Sequence, residues 1–112
     1  MIIDDNLGTI KGLNYDLVTN VMSSFKDEEH RLKKLRYKEN LEIVSEDIIS
    51  NLKNNKSGYI KADQLFYFEK SKTDYYVFAT VDPELLDELI KLVVELVVEE
   101  KLKVNTKNLT TV

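Results

Sequence analysis

A chain of 112 residues that is 43% hydrophobic and 32% charged has globular composition, which excludes disordered, collagen-like and disulfide-scaffold classes. With no cysteine there are no disulfides, thiolate nucleophiles or zinc-thiolate sites. A net charge of -4 argues against a surface given over wholly to a polyanion.

Met1-Ile2-Ile3 is followed at once by Asp4-Asp5-Asn6, without the basic and apolar regions of a secretory leader. The most apolar run, Leu92 to Val98, is interrupted by Glu95 and falls far short of the roughly 20 apolar residues a membrane span needs. The expectation is one soluble, cytoplasmic α+β domain over 1–112, with no membrane contact.

Residues 1–14 read as short strands and loop, Ile2-Ile3 and Thr9-Ile10 flanking a turn from Asp4 to Gly8. Over 15–53 there is no proline or glycine, and Leu17, Val18, Val21, Met22, Phe25, Leu32, Leu35, Leu41, Val44, Ile48 and Leu52 recur at helical spacing. One rod of that length would be roughly 57 Å long, too long for so small a domain. Two or three N-terminal helices are therefore expected, breaking near Ser23-Ser24 and between Asn40 and Ser45, with Ser24 and Ser45 as caps.

Asn54 to Gly58 then ends the helical region, and the residue types change. Aromatic and β-branched residues from Tyr59 to Phe68 and from Tyr75 to Val81, around Lys70 to Asp74, predict an antiparallel β-hairpin over 59–81. On its first strand Ile60, Ala62, Phe66 and Phe68 would share a face.

Asp82-Pro83-Glu84 combines a capping acceptor, a proline where no N–H is needed and an acid at the positive end of the helix dipole. A strongly apolar C-terminal helix over 82–104 follows, leaving 105–112 as a tail. Its apolar arc exceeds the roughly 100° of a half-buried helix.

Few residues carry chemistry. His30 is the lone histidine, with Asp27 one turn away, and no second histidine or any cysteine to complete a metal site. Glu99-Glu100-Lys101 has a nuclease-like spacing at a helix end, where that pattern does not function, and Lys56-Ser57-Gly58 lacks the glycines of a phosphate loop. No catalytic, cofactor-binding or metal-binding residue is assigned.

Three surfaces remain. Leu89, Val93, Val94, Leu96 and Val97 are the candidates for self-association, giving a homodimer. Arg31, Lys33, Lys34, Arg36 and Lys38 form a basic cluster able to pair with Asp27 and Glu29 on its own helix or to contact a polyanion or an acidic partner. Tyr67 and Tyr76 would point outward from the hairpin, toward a partner protein or as cross-strand support.

The expected function is thus a non-catalytic protein-interaction or regulatory domain. The alternative comes from element order alone. Three helices, a hairpin and a helix resemble winged-helix repressors that dimerise through a terminal helix, and the resemblance implies a dimeric DNA-binding regulator with a wing at 59–81 and a recognition helix over 45–55.

Overall fold

The computed structural model describes residues 1–44, 47–49, 58–75 and 80–109. Its centre is a mixed five-stranded sheet rather than a helical layer. Strands β1 (Ile2–Asp4), β4 (Leu17–Ser24), β7 (Gly58–Phe68) and β5 (Asn40–Ile43) lie side by side in the order β1-β4-β7-β5, each pair antiparallel.

The eleven-residue β7 is the spine. β4 runs along one of its edges. On the other edge β5 pairs with its first half and β9 (Lys103–Asn105) pairs parallel with Gln64, Leu65 and Phe66. Two ladders stand apart from this sheet, the hairpin β2 (Gly8–Ile10) with β3 (Leu13–Tyr15), and β6 (Ile48–Ile49) with β8 (Thr80–Val81). Lys11 and Gly12 both have positive φ, 51° and 77°, the pattern of a two-residue type I′ turn.

Only two α-helices are present among the described residues, α1 (Glu28–Lys34) and α2 (Pro83–Val98). The expectation of two or three N-terminal helices over 15–53 is therefore overturned. Leu17 to Ser24 is a strand, buried on both faces at Leu17 and Val18, so its apolar residues do not alternate. The remaining helix there is short and starts after Asp27, whose carboxylate accepts the His30 N–H at 2.8 Å, not at Ser24.

The hairpin over 59–81 is corrected as well. β7 is flanked on both edges, and Thr80-Val81 pairs with β6 instead; Tyr76, Val77, Phe78 and Ala79 lie outside the described residues. So does most of the segment 45–55.

A bulge divides β7. Asn20 pairs with Leu65 while its neighbour Val21 pairs with Lys61, leaving Ala62, Asp63 and Gln64 without opposite residues on β4. Buried Asn20 fills the gap, its Nδ2 donating to the Lys61 and Gln64 carbonyls at 3.3 and 3.0 Å. The bulge shifts the phase of burial, so that Ile60 before it, Ala62 within it and Leu65 after it are buried, whereas Phe66 and Phe68 are half-buried.

Gly58 is a strand residue rather than a helix stop. A Cβ there would clash with the Ser23 carbonyl oxygen across the ladder.

Helix α2 covers one face of the sheet. Leu85, Leu89 and Leu96 pack with Ile43, Ile60 and Ala62, ringed by Met1, Ile3, Leu41, Val81, Leu92 and Val93. Its start is set by Asp82, which accepts the Glu84 N–H at 2.8 Å, with Pro83 in the first turn. It stops at Val98 rather than 104. The Lys101 N–H donates to Leu96 O at 2.9 Å and the Glu100 N–H to Val97 O at 3.1 Å, the paired bonds of a Schellman motif. Glu100 takes the left-handed position, φ 58°, where glycine is usual. The chain then turns back into β9, so α2 is not the last element.

Candidate functional site

The outward face of α2 follows from its period. Leu85, Leu89, Leu92 and Leu96 repeat at three- and four-residue spacing toward the sheet, and Ile90, Val94, Val97 and Val98 repeat the same way on the opposite side. Leu89 and Leu96 are 0% exposed, whereas Ile90 is 44%, Val94 57%, Val97 53% and Val98 78% exposed. A helix with one apolar face is satisfied by its own sheet. This one has a second apolar face left over, beside Asp87 and Lys91.

Of the residues predicted for self-association, Val94 and Val97 lie on this outer face, Val93 is half-buried at its margin, and Leu89 and Leu96 belong to the chain's own core. Ile90 and Val98 complete the surface and are absent from the predicted set. Periodicity alone distinguishes two apolar arcs without saying which one meets the sheet, so no signal in the sequence separates them.

The basic cluster is dispersed. Arg31 donates to both carboxylate oxygens of Glu42 on β5 and to Glu28 at 2.9 Å, and these bonds, Glu42 first, hold its guanidinium above its ordinary pKa. Lys38 lies between Glu99, the residue that caps α2, and Glu95 of α2, bonded to both, which raises the lysine and lowers the Glu99 carboxyl. Lys33, Lys34 and Arg36 make no ion pair among the described residues. Two of the five cations are thus taken up by the fold, α1 being tied to β5 and the segment after it to α2.

Tyr67 is half-buried and meets Tyr15 edge-on, with ring centroids 4.7 Å apart. Burial chiefly, with Tyr15 and Asp4 adding, raises its phenol. Tyr76 lies outside the described residues. His30 meets both Phe25 and Tyr59 edge-on, and those two rings stack on each other with centroids 5.2 Å apart. Its Nδ1 accepts the Lys26 N–H at 3.1 Å, so that nitrogen is committed to the backbone.

Among the described residues no group of three or more His, Asp or Glu is placed to hold a metal ion. A shallow cleft of about 510 Å³ lies at the C-terminal end of α2, floored by Leu96 and Leu102 and rimmed by Glu39, Asp63, Glu100, Lys101 and Lys103. Among the described residues no helix is long and apolar enough to cross a membrane. No protein-family model matches the chain, and neither a curated protein nor a solved structure matches it.

The winged-helix order fails at its first element, because Leu17 to Ser24 is a strand and the described segment of 59–81 forms no hairpin. The DNA-binding alternative loses its basis with it.

Proposed function

We propose that the chain is a small non-catalytic interaction module that self-associates through the outer face of α2. The observation that carries this reading is the exposure of Ile90, Val94, Val97 and Val98 on a helix whose inner face already completes the core. Contiguous exposed aliphatic residues on a structured element mark contact surfaces.

Magnitudes set what kind of association to look for. Covering the exposed parts of these four side chains on each of two copies is worth about 1 kcal/mol apiece. Lost translational and rotational freedom opposes this by at least about 4 kcal/mol. The balance of at most about 4 kcal/mol supports a weak, reversible dimer with a Kd of about 1 mM, not a permanent one.

Sedimentation over a concentration series tests it. The wild-type chain is expected to shift from monomer to dimer as concentration rises, and Val94→Asp with Val97→Asp is expected to remain monomeric with an unchanged circular-dichroism spectrum. A wild-type chain that sediments as a monomer throughout overturns the proposal.

A further inference from the structure

Resting on that self-association, we propose that two copies pair their α2 helices antiparallel, about a two-fold axis that passes by Val94. A closed homodimer is isologous, so the same surface must meet itself. For a helix this leaves two arrangements, parallel with the axis along the helices, or antiparallel with the axis across them.

Side-chain spacing places the axis. Ile90, Val94 and Val98, four residues apart, form one ridge of the kind that packs between the ridges of a neighbouring helix. With Val94 on the axis, each Val94 meets the other copy's Val94 and Ile90 of each copy faces Val98 of the other. Apolar groups then meet apolar groups along the whole ridge.

Charge selects the direction. In the first half of α2 Glu84, Asp87 and Glu88 are exposed and Lys91 is the one cation. None of these four makes an ion pair among the described residues. At the other end Glu95 and Glu99 are held by Lys38, Lys101 pairs with Glu99 at 3.4 Å, and Lys103 and Glu100 line the same cleft. A parallel pair would set the unmatched acids of one copy against the same acids of the other. Like charges across an interface penalise that arrangement. The antiparallel pair moves those acids away from each other, toward an end of the second copy where Lys38, Lys101 and Lys103 balance Glu95, Glu99 and Glu100, and opposes the two helix dipoles.

The native chain has no cysteine, so engineered cysteines report the geometry without background. Helices with axes about 8 to 10 Å apart and backbone radii of about 2.3 Å bring facing Cα atoms within disulfide reach. Under mild oxidation Val94→Cys is expected to form a covalent dimer. Ile90→Cys and Val98→Cys are expected to stay unlinked separately and to link to each other when mixed, with Glu88→Cys as an off-ridge control. Self-linking of Ile90→Cys and of Val98→Cys, without preference for the mixture, would indicate parallel helices and overturn the proposal. Sedimentation of the unmodified chain separates the two levels. A wild-type dimer with the wrong cross-linking pattern refutes the orientation alone, whereas a wild-type monomer at every concentration refutes the self-association beneath it.

Discussion

Leu89 and Val94 lie on the same helix, little more than a turn apart, in opposite surroundings. Leu89 is sealed between α2 and the sheet with Ile43, Ile60 and Ala62 as neighbours, while Val94 faces outward and is 57% exposed. One helix therefore has two apolar faces with different duties. The inner face is fixed by the fold of a single chain, and the outer face contributes to stability only when something covers it.

The largest test of that division is truncation on each side. Leu89→Ala is expected to lower unfolding free energy by about 2 to 5 kcal/mol, at every protein concentration, in urea titration. Val94→Ala is expected to stay within about 0.5 kcal/mol when dilute. Its effect should grow with concentration, as mass action requires of an interface residue. Equal and concentration-independent losses would erase the distinction.

The sheet side of the core offers the next test, because its tolerance is set by backbone approach rather than by volume. Gly58→Ala forces a Cβ onto the Ser23 carbonyl and is expected to cost about 1 to 3 kcal/mol in the same titration, as overpacking does. A neutral result would mean that β4 and β7 separate easily at that end.

A gain is expected where α2 ends. Glu100→Gly relieves a side chain held at φ 58° and is expected to stabilise the chain by about 1 kcal/mol. Raised thermal stability with unchanged sedimentation would show that this end of α2 is strained for the fold and not for the contact.

The smallest effect concerns Lys38 and Glu99, which flank both faces. Hydrogen bonding to Lys38 holds the Glu99 carboxyl below its usual value. Its contribution is therefore complete above the ordinary carboxylate range and disappears as pH falls through the lowered value. Glu99→Gln is expected to be slightly less stable than wild type at neutral pH and indistinguishable from it in acid, with the neutral difference shrinking in salt. A difference that persists in acid would assign Glu99 a role other than this ion pair.

What the residues disclose depends on whether local chemistry or pairing decides the structure. The start of α2 is legible because Asp82 and Pro83 act within one turn. The short strands at Ile2 and Thr9 are legible as strands, although each pairs with a partner other than the one their spacing suggests. Leu17 to Phe25 misleads because a strand buried on both faces loses its alternation, and its remaining apolar residues fall at helical intervals. A contrary signal was present. No alanine and no charged residue occurs from Leu17 to Phe25, whereas Val18, Thr19 and Val21 favour a strand.

The Asn20-filled bulge and the partners of β7 depend on residues distant in sequence, 41 positions away in the bond from Asn20 to Lys61, and no local pattern encodes them. The outer surface of α2 was half legible for the same reason. Val94 and Val97 are visible as apolar residues in excess, but Ile90 and Val98 can be told from Leu89 and Leu96 only once the sheet is in place.

The parallel pairing of β9 with β7 bears on how the chain reaches this state. Leu65 and Phe66 acquire their second strand partner, and Gln64 its first, only after α2 has crossed the sheet and delivered Lys103 to Asn105. Until then a growing or refolding chain presents an incomplete β edge beside Phe66 and Phe68, the kind of edge through which unfinished chains recruit one another. Docking of α2 is thus the step that closes this edge during assembly, and slowing it is expected to be felt first as aggregation.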